Sequence, residues 1–376
     1  MSINYSYWSR AQRLKLSLPA ADLSNFPVYL SASSLPTELT NHSYGRSDGG
    51  DLAFATDLGT GNTLTSIGNQ IPCEVVSASF GGSPSAEIHV QVPSVSHTTN
   101  TYIWVLYGNS AQSTQPGVGT TYGKHNVWDS NYIGVWHLSD CGGSIGSTIA
   151  DSTSNGNNGT NATSNAGSGV GSTTGKVGNA GNFISGQSIA LPNFSFSNSA
   201  FTVQTWIYNY SWPMSTNQLF GPIVAFSLGG TAYGLREEYY PSWNWNGIGL
   251  LFNNTMPVWV PSCTTNIPQA SWNHLAATYA SSTGTMYVNG SNSLSASHSN
   301  YGYAMVNSIG SAATTVNDGA NGQFNGVLDE VRLSNIARSN NWLAAEYSNQ
   351  NAPGTWINTA SQNPLSTSDT FFFGPV

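Results

Sequence analysis

From residue 326 to 333 apolar and polar positions alternate: Val327, Asp329, Val331 and Leu333 fall on one face of a strand, Leu328, Glu330 and Arg332 on the other. This spacing predicts a half-buried strand with the Asp329 carboxylate on its inward face. There it needs backbone N–H groups, an arginine or a cation as partner. A short helix follows, with Ser339 placed to cap it and Trp342, Ala345 and Glu346 at helical spacing up to Ser348. Near the other end, RLKLSL puts Leu14, Leu16 and Leu18 on one face and Arg13, Lys15 and Ser17 on the other. Further short strands are predicted at 27–30, 52–56, 71–77, 87–92 and 101–107. Residues 108–123 lose periodicity and mark a domain boundary. Beyond it, strands are predicted at 133–138, 188–191, 201–208, 223–228, 247–252, 274–279, 285–288 and 307–310. HLAATY and TMYVNG, joined by ASSTG, read as a hairpin, and Asn289-Gly290 supplies the next tight turn. The fold class is all-β: two tandem antiparallel β-sandwiches, the second a jelly roll, followed by a short C-terminal helix and a tail.

Composition narrows the function. Only 7% of residues are charged, against roughly a quarter in ordinary soluble domains. Solubility therefore rests on Ser, Thr, Asn and Gly. Nine Lys and Arg in a chain of net charge −8 supply no basic stripe for a phosphate backbone, which argues against nucleic-acid binding. There is no apolar run of about 18 residues to span a bilayer. Cys73, Cys141 and Cys263 are odd in number and far apart, giving neither a disulfide framework nor a zinc pattern. MSINYSYWSRAQRLKLSL lacks the charged and apolar regions of a secretory signal. Either a leader has been removed, or the protein reaches the outside without one, as virion proteins released by lysis do.

Several runs, in order, carry a family resemblance. GVLDEVRLSNIARSNNWLAAEYSNQ from Gly326 resembles the end of a laminin-G-like, concanavalin-A-like jelly roll, and GVWHL, DSTSNGNNGT, GKVGNAGNF, FTVQTWI and MYVNG upstream agree with it. In the first part FPVYL, DLAFATDLGT, IPCEVVS, VQVPSVS and YIWVLYGN resemble the DUF2341 pattern. The resemblance implies a DUF2341-like sandwich over 1–123, a jelly roll over 124–359 and a tail over 360–376. It also implies that the Gly-, Ser-, Thr- and Asn-rich stretch 151–181 forms ordered long turns, with a flexible portion near 161–174. The setting it implies is a phage or prokaryotic surface protein.

The side chains suggest three chemistries. Sandwiches of the resembled family often carry a structural calcium, and Asp151, Asp318 and Asp329 are oxygen ligands of the kind calcium takes. The competing reading has Asp329 satisfied by backbone N–H groups and Asp151 capping a turn. Sugar binding is suggested by REEYYPSWNWNG, where Tyr239, Tyr240, Trp243 and Trp245 crowd a loop with Glu238 and Asn244. Aromatic faces there would stack on sugar rings, or else pack into the sandwich. Hydrolysis needs two carboxylates roughly 5 to 9.5 Å apart across a cleft. The adjacent pairs Asp329–Glu330 and Glu237–Glu238 point to opposite strand faces instead. His137 and His274 lie in predicted strands and read as structural groups. Phe371, Phe372 and Phe373 follow a polar segment and are candidates for docking on another copy or on a carrier particle.

The sequence therefore predicts a non-enzymatic virion surface protein, a head decoration or a tail or fibre component, with a lectin-like domain that binds host or environmental glycans. Its partners would be a capsid or tail protein, a glycan and possible further copies of itself. Two alternatives stay open: an accessory or catalytic module of a secreted glycan-degrading enzyme, or a purely structural decoration subunit. A secreted or cell-surface location is the alternative to the virion surface.

Overall fold

Arg10–Leu16 and Tyr102–Tyr107 run antiparallel from Arg10↔Tyr107 to Lys15↔Tyr102, and the alternation of the first strand follows from this pairing. Leu14 and Leu16 are fully buried, while Lys15 is half-buried. The computed structural model describes residues 3–163, 168–184, 187–194, 200–210, 219–228, 231–240, 245–252, 267–297, 307–310, 324–359 and 364–367. The chain divides into two compact units, Met1–Asp129 with Ser348–Val376, and Ser130–Tyr347.

In the first unit a six-stranded sheet runs in the order Ile357–Asn358, Arg10–Leu16, Tyr102–Tyr107, Ala53–Asp57, Ile67–Ile71, with Leu365–Ser366 also paired to Arg10–Leu16. A three-stranded sheet places Ser85–Val95 between Leu23–Leu30 and Cys73–Ser79. Phe26, Val28, Leu30, Ile88 and Val90 lose all or nearly all contact with water, each such side chain contributing about 1.5–3 kcal/mol. The returning chain is fixed by Asn349, whose side chain accepts from the Tyr29 N–H at 2.7 Å and donates to the Tyr29 carbonyl at 2.9 Å.

The second unit contains a seven-stranded sheet in the order Trp245–Phe252, Thr231–Tyr240, Leu219–Leu228, Ser308–Ile309, Gln187–Ala190, Gly159–Thr163, Thr148–Ile149. An eight-stranded sheet runs Gly171–Thr174, Asn179–Phe183, Gly326–Ser334, Ala200–Asn209, Trp272–Ala280, Thr283–Val288, Ser291–Ser297, with Tyr132–Trp136 on Gly326–Ser334. Trp136, Phe183, Phe201, Val203, Ile207, Leu275, Leu328 and Val331 belong to one buried apolar cluster. The fold is all-β and antiparallel throughout, as the alternation predicted.

Two expectations are corrected. Residues 151–181 are not long turns alone, because Gly159–Thr163, Gly171–Thr174 and Asn179–Phe183 are paired strands within it. Here small polar residues perform core duties. Asn161 is fully buried, its Oδ1 accepting the Val170 N–H at 2.7 Å, and Gly181 leaves room for Phe183 and the Cys141 sulfur. Second, Asp329 does not share a face with Val331 and Leu333. Pairing runs Ile207↔Leu328 and Trp206↔Asp329, then resumes at Gln204↔Arg332, so Glu330 and Val331 together oppose Thr205. This is a β-bulge, with Glu330 at φ +53°. It puts Leu328, Val331 and Leu333 in the core and Asp329 beside Trp206 on the opposite face.

That opposite face meets the helix Asn340–Asn351, which runs three residues past its expected end. Ser339 caps it as predicted, its Oγ accepting the Trp342 N–H at 3.2 Å. The Tyr347 ring stacks on Trp206 with centroids 5.6 Å apart.

Candidate functional site

Of the residues proposed for sugar contact, Glu238, Tyr239 and Tyr240 form the end of Thr231–Tyr240, and Trp245 opens Trp245–Phe252. These strands pair as a hairpin, with Tyr240↔Trp245, Tyr239↔Asn246 and Glu238↔Gly247 in register. Trp245–Phe252 is the edge of the seven-stranded sheet. The aromatic run that reads as a loop is thus mostly the closing end of an edge hairpin, and its turn segment, with Trp243 and Asn244, lies outside the described residues.

Over the bulged strand the structure assembles a buried array of charge. Arg332 donates from Nε to Glu330 Oε2 at 3.1 Å and from Nη1 to Glu346 Oε1 at 2.8 Å. The Tyr132 hydroxyl donates to the same Glu346 oxygen at 3.2 Å, and His137 Nδ1 shares a hydrogen bond with Glu330 Oε1. Glu330, Arg332 and Glu346 are each 1–2% exposed. Burial works to lower the Arg332 pKa, but the Glu330 and Glu346 carboxylates outweigh it and hold the guanidinium above its ordinary value. The placement of Glu330 and Arg332 on one face was legible as an i, i+2 pattern. Glu346 was missed as their partner, since nothing local shows which strand a helix will cover.

Beside this array His274 is buried against Trp206, ring centroids 5.2 Å apart. Burial, then the nearby Arg332 charge, push its pKa down to about 3, with Glu330 opposing. Asp329 accepts the Val177 N–H at 2.8 Å. Burial and the Glu330 carboxylate raise its pKa well above the usual carboxylate range, against the lowering effect of the Val177 and Lys176 N–H groups. These groups are arranged as a structural charge cluster, with both glutamates engaged by one arginine.

Of the calcium candidates, Asp318 lies outside the described residues. Asp151 accepts the Val135 and Thr153 N–H groups on Oδ1 at 3.0 and 2.9 Å, and the Thr153 hydroxyl and Asn157 N–H on Oδ2 at 2.8 and 2.9 Å. Among the described residues neither Asp151 nor Asp329 joins a cluster of three or more His, Cys, Asp or Glu ligand atoms. Phe371, Phe372, Phe373 and Cys263 also lie outside the described residues. Cys73 and Cys141 are buried free thiols whose pKa values burial pushes up to about 12.

Residues 183–344, which include the aromatic hairpin and the bulged strand, match the family model described as the concanavalin A-like lectin/glucanases superfamily. The match covers less than half of the chain. Among solved structures it is similar to domain 4 of AbnA, a GH43 extracellular arabinanase from Geobacillus stearothermophilus, in complex with arabinotriose: 19% identity, 57% of this chain and 97% of that one, TM-score 0.43. It is also similar to Trypanosoma rangeli sialidase in complex with 2,3-difluorosialic acid, at 15% identity over 68% of this chain and 42% of that one, TM-score 0.41. The botulinum neurotoxin serotype D binding domain is similar at 13% identity over 58% and 52%, TM-score 0.36. No curated protein matches the chain in sequence. No helix among the described residues is long and apolar enough to cross a membrane.

Proposed function

We propose that the chain is a non-enzymatic surface module whose lectin-like domain binds glycans through the end of the aromatic edge hairpin. The observation that carries this reading is the Tyr240↔Trp245 register. It brings Tyr239, Tyr240 and Trp245 to one end of an edge hairpin inside the stretch that matches the lectin/glucanase family. Aromatic residues at such an end offer flat apolar faces to sugar C–H groups, and Glu238 and Asn244 offer hydrogen bonds. The burial of Glu330 and Glu346, each 1–2% exposed, favours a binding role over a hydrolytic one for this cluster, because neither carboxylate is open to a glycosidic bond in solvent.

A glycan array probed with the full chain tests this. Binding of the best neutral ligand should fall at least about tenfold in Tyr240→Ala and Trp245→Ala. Release of reducing ends from a polysaccharide panel, abolished by Glu237→Ala or Glu238→Ala, would establish the enzyme instead. The setting we propose is a virion surface. This rests on the DUF2341-like and laminin-G-like sequence runs. Immunoblotting of purified particles decides it: presence in stoichiometric amount supports a decoration or fibre subunit, and confinement to culture supernatant refutes it.

A further inference from the structure

We propose a second ligand site, in the first unit, that takes a carboxylate-bearing sugar chain. A groove of about 540 Å³ lies where Arg10–Leu16, Ala53–Asp57 and Tyr102–Tyr107 of the larger sheet approach Ser85–Val95 of the smaller one. It is built around Arg13, whose side chain is 9% exposed and grips Asp57 with two bonds of 2.7 Å, Nε to Oδ2 and Nη2 to Oδ1. The guanidinium lies over the Tyr102 ring at 3.6 Å. Asp57 is saturated, because Oδ2 also accepts the Trp104 indole N–H at 2.8 Å and Oδ1 the Gly59 N–H at 2.7 Å. Arg13 Nη1 is not. Among the described residues it donates to no protein acceptor, yet it is not sealed from solvent.

A second groove of about 400 Å³ adjoins the first, and Asn100 lines both. It contains Lys15, which forms no ion pair among the described residues. Arg13 and Lys15 lie two apart on one strand and so on one face, about 7 Å from each other. Among the described residues Asp57 is the only carboxylate lining either groove, and it is already consumed. In a chain of net charge −8, this cleft therefore presents cationic and neutral donors with no competing acid. That is the complement of an anionic ligand. Among the described residues the Ser94 and Asn100 side chains and the Tyr102 hydroxyl make no hydrogen bond to protein and suit sugar hydroxyls, while Leu58, 60% exposed, offers an apolar rim. Arg10–Leu16 is not a free sheet edge for a peptide strand, because Tyr102–Tyr107 pairs along one side and Ile357–Asn358 and Leu365–Ser366 pair with its two ends on the other. The site is independent of the aromatic hairpin.

The test is calorimetry on the full chain with oligogalacturonate, a hyaluronan oligomer and a sialylated oligosaccharide, each against a neutral oligosaccharide of equal length. We expect at least one acidic sugar to bind, with affinity falling about tenfold in Lys15→Gln and in Asn100→Ala and falling again as salt is raised. Both positions lie at the cleft's edge, so folding, checked by circular dichroism, is retained. Arg13→Lys, which keeps the charge but loses the bidentate grip, should also weaken binding. Trp245→Ala should leave this affinity unchanged, which separates failure of this site from failure of the hairpin reading. Equal binding of neutral sugars overturns the carboxylate assignment, and equally variant-sensitive binding of oligoglutamate overturns the sugar assignment. Absence of binding by all three acidic sugars, or binding indifferent to Lys15→Gln and Asn100→Ala, overturns the site.

Discussion

Arg332 lies between Glu330, two residues away on its own strand, and Glu346 on the helix, with Nη1 2.8 Å from Glu346 Oε1 in a setting closed to water. Two carboxylates thus share one guanidinium, and removing it leaves both without their cation. Arg332→Ala should cost about 3–5 kcal/mol, read as the loss of unfolding free energy in urea. Replacing all three charges together by Leu or Met should cost far less, because no lone buried charge remains. If the single and triple variants unfold alike, the array does not act as a unit.

A pH dependence follows from His274. Its folded pKa of about 3 lies below the value near 6.5 expected in the unfolded chain. The unfolded state therefore takes up the proton first. The contribution of neutral His274 is whole above about pH 6.5 and is lost as pH falls toward 3, on the order of 4–5 kcal/mol in total. Acid denaturation of wild type and His274→Gln should show this directly. The gap between the two should narrow steadily from pH 7 to 4, and a constant gap would contradict it.

Asp151 bears on the metal question. Both of its oxygens are already occupied by N–H and O–H donors, so a cation would have to displace bonds that define the turn. Chelator should leave the thermal midpoint unchanged, and Asp151→Ala should lower stability by about 2–4 kcal/mol with or without calcium. A midpoint that rises with calcium in wild type but not in Asp151→Asn would make it a ligand.

Gly290 follows Asn289 in a turn with both residues at positive φ, +73° and +51°. A Cβ there would stand 3.0 Å from the Ala344 Cα and the Tyr347 Cβ of the covering helix. Gly290→Ala should therefore destabilise by about 2–3 kcal/mol, combining backbone strain with displacement of the helix. Gly82, also at positive φ but with nothing within 4 Å of an added Cβ, should tolerate Ala at about 1 kcal/mol. Chemical denaturation of the two variants compares them.

The strands easiest to read were those whose faces differ in polarity. Phe201, Val203 and Ile207 mark Ala200–Asn209, and Leu14 and Leu16 mark Arg10–Leu16. Gly159–Thr163, Gly171–Thr174 and Ser291–Ser297 were silent because Gly, Ser, Thr and Asn give a period of two no contrast to appear in. The returns of Ile357–Asn358 and Leu365–Ser366 to Arg10–Leu16 join residues far apart in the chain, and only tertiary packing specifies such partners. In the candidate sites, the residue types were visible but their pairing was not. Tyr240 and Trp245 needed the hairpin register, and Arg13 with Asp57 needed two strands brought together.

The bulge at Glu330 changes what a mutation in Gly326–Ser334 means. Before it, even-numbered positions turn toward the apolar interior; after it, odd-numbered ones do, so the strand is two segments of opposite parity spliced at one residue. Deleting a single residue at the splice would restore one parity while leaving the composition almost untouched. With Glu330 gone, Val331 alone would oppose Thr205 and every other residue would keep its partner and its face, but the Glu330 bonds to Arg332 and His137 would be lost. The strand thus carries one residue more than its register needs, and that extra residue is the one whose carboxylate engages Arg332 and His137.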